Sequence, residues 1–208
     1  MPLFSKDNKT ILFIHIPKCA GTTIERAFED AGWDIEFLVE PARRGHTDWS
    51  PCNPQHWHYA DLLKNIHSKY DIDYEFTVVR NPFQRMLSEL HWRGNATSDL
   101  TQAMNTMGLR YLQYYIKNNY TMDNHIRPQE QFIGPTTNVF RFEEIQTLFD
   151  MLSNDYGVDS FANHYNTNTY KPTTLDNLSD EFKERYKEIY FSDHEMLKYS
   201  KPFEENNE

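Results

Sequence analysis

The stretch "HIPKCAGTT", residues 15–23, puts a lysine, a glycine and two hydroxyl residues directly after the apolar run "ILFI". A loop that leaves a buried strand and enters a helix presents backbone N–H groups the helix does not use. The helix dipole adds partial positive charge at the same place, so the junction favours an anion. Lys18 adds full charge, Thr22 and Thr23 add hydroxyl donors, and Gly21 allows a ligand close to the backbone. The chemistry these residues point to is the binding of a phosphate compound. Two common spellings do not fit. In the nucleoside-triphosphate loop, G-x-x-x-x-G-K-[ST], the lysine follows the glycine, whereas Lys18 precedes Gly21. The cysteine phosphatase loop, C-x5-R, would require arginine at position 25, which is Glu25; Arg26 is one residue too far along.

A third spelling does fit. "IPKCAGTT" resembles the 5′-phosphosulfate loop of the sulfotransferases, which use 3′-phosphoadenosine 5′-phosphosulfate (PAPS) as sulfuryl donor. The resemblance implies that Lys18, Cys19, Ala20, Gly21, Thr22 and Thr23 hold the 5′-phosphosulfate. It also implies a second element, an arginine at the end of a later strand followed eight residues on by a serine, which together bind the donor's 3′-phosphate. "VVRNPFQRMLSEL" supplies Arg80 and Ser88 at that spacing. Arginine suits the task because its planar fork pairs two phosphate oxygens at once. Arg85, on the same segment, is read as a surface residue. "NVFRFEEI", "RPQEQF", "HYNTNTY" and "YKEIYFSDHEML" further resemble the branch containing the heparan and uronyl 2-O-sulfotransferases and their bacterial relatives, over about residues 10–200.

Sulfuryl transfer to a hydroxyl needs a base, and histidine titrates in the right range. The chain has nine histidines. In the 2-O-sulfotransferase branch the base begins an H-x-x-Y-x-[DE]-like segment. "HWHYADL" matches with His56 first, then Tyr59 and Asp61, and His58 is the alternative. His15, inside the first apolar run, is read as a packed residue. The resemblance implies an in-line displacement in which Lys18 stabilises charge on the sulfuryl group and leaving oxygen while His56 takes the acceptor proton. No metal-ligand cluster is legible, and the mechanism requires none. The Cys19 side chain is read as a small filler. The rival readings are a kinase-like phosphoryl-transfer enzyme, which the loop spelling disfavours, and a non-catalytic nucleotide-binding module.

These residues need elements to hold them. "ILFIHI" (11–16), "IEFLVE" (35–40), "YEFTVV" (74–79) and "NVFRF" (138–142) read as strands. Between them, "TTIERAFEDAGW" spaces Ile24, Ala27, Phe28 and Ala31 on one helical stripe, with Gly32 as its stop. "HYADLLKNIHSKY" (58–70) and "RNPFQRMLSELHW" (80–92) are helical, the second with Asn81 as N-cap and Pro82 at the first position. Further helices are expected over about 99–118 and 143–157, and one helix or two over 179–200, where Ser192 and Glu195 have capping-box spacing. Strands alternating with helices predict an α/β fold with a mostly parallel central sheet flanked by helices. The resemblance makes it P-loop-like and three-layered.

At 208 residues the chain is expected to form one domain, with 1–9 and 201–208 as loose ends. Aromatics make up 15%, which disordered chains lack. A net charge of −10 argues against a nucleic-acid partner. Two cysteines imply no disulfide framework and suit a reducing compartment. No signal peptide or membrane span is legible, so the chain reads as soluble and cytoplasmic. The acceptor implied by the resemblance is a glycan or glycoconjugate hydroxyl. Arg43, Arg44, His46, Trp49 and Trp57 are read as flanking it.

Overall fold

The structure, a computed structural model, describes residues 1–38, 50–95, 99–159 and 173–199. Arg43, Arg44, His46, Trp49, "HYNTNTY" and the 201–208 tail lie outside the described residues. The chain divides into two compact units. The first comprises Met1–Arg80, Asp123–His125 and Gln131–Thr167, and the second Asn81–Met122, Ile126–Glu130 and Asn168–Glu208.

The first unit is built on a five-stranded sheet: β1 (Leu3–Lys6), β2 (Lys9–Ile14), β3 (Asp34–Glu36), β4 (Tyr74–Val79) and β5 (Asn138–Arg141), in the spatial order β3-β1-β2-β4-β5. β2 pairs in parallel with β4, and β4 with β5, as alternating strands and helices require. β1 pairs antiparallel with both β2 and β3. The sheet is therefore mixed rather than mostly parallel. The cause is local. Asp7 and Asn8, the two residues of the β1–β2 turn, have φ of 50° and 60°. Such a primed turn matches strand twist and closes a hairpin, and short polar residues tolerate it. Residues 1–9, expected as a loose end, instead contribute a strand. Met1, Leu3 and Phe4 are buried.

Ile11, Leu12, Phe13 and Ile14 of β2, and Phe76, Val78 and Val79 of β4, have almost no exposed surface; β2 reads as a continuous apolar run, and β4 interleaves the buried Glu75 and Thr77 with its apolar residues. Helix α1 (Gly21–Asp30) lays Phe28 on Phe4, with ring centroids 3.8 Å apart, and Trp33 edge-on to Phe28 extends this cluster. Gly32, at φ 73°, ends the α1 segment. Helix α2 (Tyr59–Leu62) continues as one π-type turn over Leu63–His67, and α6 (Ile145–Tyr156) follows β5.

The second unit is helical. Helix α3 (Pro82–Trp92) starts as the sequence requires: the Asn81 side chain accepts from the Phe83 and Gln84 amides at 3.1 and 3.2 Å, and Pro82 occupies the first turn. Helix α4 (Leu100–Ala103) runs through a π-type turn, Met104–Gly108, into α5 (Leu109–Lys117). Helix α7 (Asp180–Met196) is continuous and capped by Ser179, so the Ser192–Glu195 spacing lies inside a helix and starts none. Phe83, Met86, Leu90, Met104, Phe182 and Tyr186 belong to its core. Arg85 is not a surface residue: it is 2% exposed and donates from Nη1 to the Arg127 carbonyl at 2.8 Å. No helix among the described residues is long and apolar enough to cross a membrane.

Candidate active site

The loop between β2 and α1 is strained where the sequence places its lysine. Lys18 and Ala20 both occupy the left-handed region, at φ 69° and 66°, although neither is glycine. Such backbone costs free energy and persists where the surroundings demand it. Ala20 stands at the N-cap of α1 and supplies no side-chain cap. The Thr23 and Ile24 amides donate to the Ala20 carbonyl at 3.0 and 3.2 Å, and the Gly21 and Thr22 amides before them receive no capping side chain from this position. Thr22 is exposed there, Thr23 is 7% exposed, and Lys18 is half-buried. The Cys19 side chain is buried and turns its thiol to the Pro17 carbonyl at 3.7 Å, which leaves its backbone as its contribution to the loop.

Arg80, the residue that follows β4, reaches this loop. Its Nη1 donates to the Lys18 carbonyl at 3.4 Å, and its guanidinium lies over the Phe142 ring, 4.2 Å from the centroid. The fold thus brings together Lys18 and Arg80, which are 62 residues apart in sequence. Ser88 lies half-buried on α3 of the second unit.

Behind the loop sit three histidines. The His15 ring packs on Gly21, where a Cβ would lie 2.2 Å from Nε2. Its Nδ1 is 2.5 Å from the Glu25 carboxylate, which also accepts from the Gln55 amide at 3.0 Å. Burial pushes Glu25 up, but the His15 and Gln55 partners outweigh it and the net displacement is downward. The His56 ring stands edge-on to His15, with centroids 5.1 Å apart, and His125 stands edge-on to His56 at 4.9 Å.

His56 is 8% exposed. Its Nδ1 lies 2.8 Å from Asp123 Oδ2. Asn53 fixes that carboxylate with its backbone N–H, at 2.7 Å to Oδ1, and its side-chain amide, at 2.6 Å to Oδ2. Burial pulls His56 down to about 3, against the pull of Asp123. Burial acts upward on Asp123, but the bonds from His56 and Asn53 hold it well below the usual carboxylate range. The consistent state is an ionised Asp123 and a neutral His56 that donates from Nδ1, leaving the lone pair on Nε2. His58 is arranged differently. It occupies the N-cap position of α2, and its Nδ1 is 2.5 Å from Asp61. The motif's acid therefore serves His58, and the carboxylate on His56 comes from Asp123, 67 residues away. Trp57 is a core residue, 1% exposed, whose indole N–H donates to Ser50 Oγ at 3.0 Å, so it offers no face to a sugar.

Sequence reasoning missed Glu25, Asp123 and His125. None sits in a recognisable spacing; a carboxylate wanted by a buried histidine is the one signal that could have prompted a search for them. The fold also assembles a group that the sequence does not reveal. His56, Asp123 and His125 place one possible ligand atom each within 4.8 Å of one another.

A family model described as the sulfotransferase family matches residues 1–200. No curated protein and no solved structure matches the chain significantly.

Proposed function

The chain belongs to the sulfotransferase family, and from that premise we propose that it moves a sulfuryl group from PAPS to a hydroxyl of a carbohydrate acceptor, with His56 as base. The observation that carries the reading is the unbroken sequence of contacts from the uncapped start of α1 to a neutral histidine: Gly21 against His15, His15 against His56, His56 held by Asp123. Anion site and base are then one ring apart.

In this reading the amides of residues 19–23 and Lys18 take the 5′-phosphosulfate. Arg80 takes the 3′-phosphate with Ser88, an assignment that rests on sequence spacing. The acceptor oxygen attacks sulfur and forms the new O–S bond while the bond from sulfur to the bridging phosphate oxygen breaks. The acceptor proton passes to His56 Nε2, and adenosine 3′,5′-bisphosphate leaves. Lys18 offsets charge growing on the sulfuryl and leaving oxygens, which is electrostatic preorganisation combined with positioning. Asp123 keeps the ring in the tautomer that can accept and stabilises the imidazolium that forms, as the acidic member of a Ser-His-Asp triad does.

Calorimetric titration with adenosine 3′,5′-bisphosphate, beside AMP, ADP and ATP, tests the donor site. Binding of the bisphosphate with at least tenfold preference is expected. Preference for ATP would replace the reading with a kinase-like one, and binding of none of the four would leave a fold turned to another use.

A further inference from the structure

The group formed by His56, Asp123 and His125 has a composition that the proposed reaction does not need. Two imidazoles and a carboxylate are borderline and hard donors, the set that zinc takes in sites with one open position. Around a tetrahedral zinc ion with bonds of about 2.0–2.1 Å the donors stand about 3.3 Å apart. Here they lie within 4.8 Å of one another, so binding requires the three donors to draw together around the ion. The supporting shell is in place. Asn53 orients Asp123 through two hydrogen bonds, and the Asn124 side-chain amide donates to the His56 carbonyl at 2.8 Å, tying the 123–125 segment to the 52–56 segment. Such outer partners are what hold metal ligands in position. His125 is 9% exposed and, apart from its ring contact with His56, has no part in the proton transfer described above.

We propose that His56, Asp123 and His125 form a zinc site whose occupation inhibits the enzyme. The binding claim stands on these residues alone; the inhibitory claim rests on the reading of His56 as base. A neutral imidazole has one ring lone pair. If the metal takes Nε2, that pair is consumed. If it takes Nδ1, the proton moves to Nε2, and no pair remains there either. In both cases His56 cannot accept the acceptor's proton, and the proton it shared with Asp123 is displaced or moved. Zinc therefore competes with catalysis instead of assisting it.

The test uses cobalt(II) as a spectroscopic probe for the site. Titration of the chain is expected to give visible ligand-field bands saturating at one equivalent and displaced by Zn2+. His125→Ala should weaken Co2+ binding at least tenfold while binding of adenosine 3′,5′-bisphosphate persists, and His58→Ala should leave the bands in place. Absence of bands, or bands undiminished in folded His125→Ala, overturns the proposal. Should that variant fail to fold, X-ray absorption of the zinc-loaded wild-type chain decides: two imidazoles in the coordination shell support the site, and fewer overturn it. Bisphosphate titration of the metal-free chain separates the two readings, because its failure removes the donor site and leaves the metal result standing. In a sulfuryl-transfer assay, Zn2+ should inhibit and a chelator should restore turnover.

Discussion

Gly21 is fixed by a neighbour as well as by any ligand: the His15 ring occupies the space a Cβ would need. The residue type was legible as part of a phosphate-binding loop, but this reason for it was not, because contact between a strand-end histidine and a helix start is a fact of three-dimensional packing. The same holds for the proposed base. Sequence spacing left His56 and His58 competing within one short segment. The structure gives them different partners, Asp123 for His56 and Asp61 for His58, and buries His56 in a cluster with His15 and His125. His56→Ala is expected to lower turnover by about 10²–10⁴-fold, the usual contribution of a positioned base, with bisphosphate binding retained. Asp123→Asn should lower turnover in the same direction, since an amide does not hold the accepting tautomer, whereas His58→Ala should keep most of it. Steady-state kinetics beside calorimetry on the three variants checks this. Loss of turnover in His58→Ala alone would move the base to the other histidine.

Among the elements, long apolar runs announced themselves, and short ones did not. β2 carries the four-residue apolar run Ile11–Ile14, and β4 is a six-residue strand rich in aromatic and β-branched residues, so both were legible from composition alone. β1 has four residues, only the first two of them buried, which is too short an apolar run to mark a strand, and the Asp7–Asn8 turn that closes it onto β2 emerges only in the structure. The hairpin reverses the chain and thereby makes the sheet mixed, which no count of strands and helices predicts. Its weight in the fold can be measured. Phe4 has no exposed surface and stacks on Phe28, so Phe4→Ala should cost about 3–5 kcal/mol, the range for removing a buried aromatic ring. Urea denaturation should show the midpoint falling without a change in slope. A loss below about 0.5 kcal/mol, the range of ordinary surface substitutions, would mean that the 1–9 segment contributes no more than the loose end the sequence suggested.

For the whole molecule, each unit carries a buried group that titrates in the wrong range for its type, and the two act in opposite senses on stability. His56 in the first unit is pulled by burial from 6.5 to about 3. Between those values the unfolded chain binds a proton that the folded chain refuses, so its contribution is complete above 6.5 and is lost as pH falls. Asp193 in the second unit is pushed by burial from 3.8 to about 6, even though it accepts from the Gln129 and Glu130 amides at 3.0 and 2.9 Å. Here the folded chain keeps a proton the unfolded chain releases, so the contribution is complete below 3.8 and is lost as pH rises through 6. Over about pH 4.5–6 the two slopes oppose each other and the wild-type curve is flattened. Removing either group exposes the other. Tm measured across that range should fall more steeply on acidification in Asp193→Asn than in the wild type, because His56 is no longer offset. In His56→Gln the acid-side loss should shrink or reverse, because Asp193 then acts alone. Asp193→Asn minus wild type isolates Asp193, whereas His56→Gln also removes the bond that holds Asp123 low, so its difference curve is read above about pH 4.5, beyond the ordinary range of that carboxylate. Curves that run parallel to the wild type in both variants would mean that neither proton is refused or kept as its burial requires, and the neutral state assigned to His56, on which its role as a base depends, would fall with them.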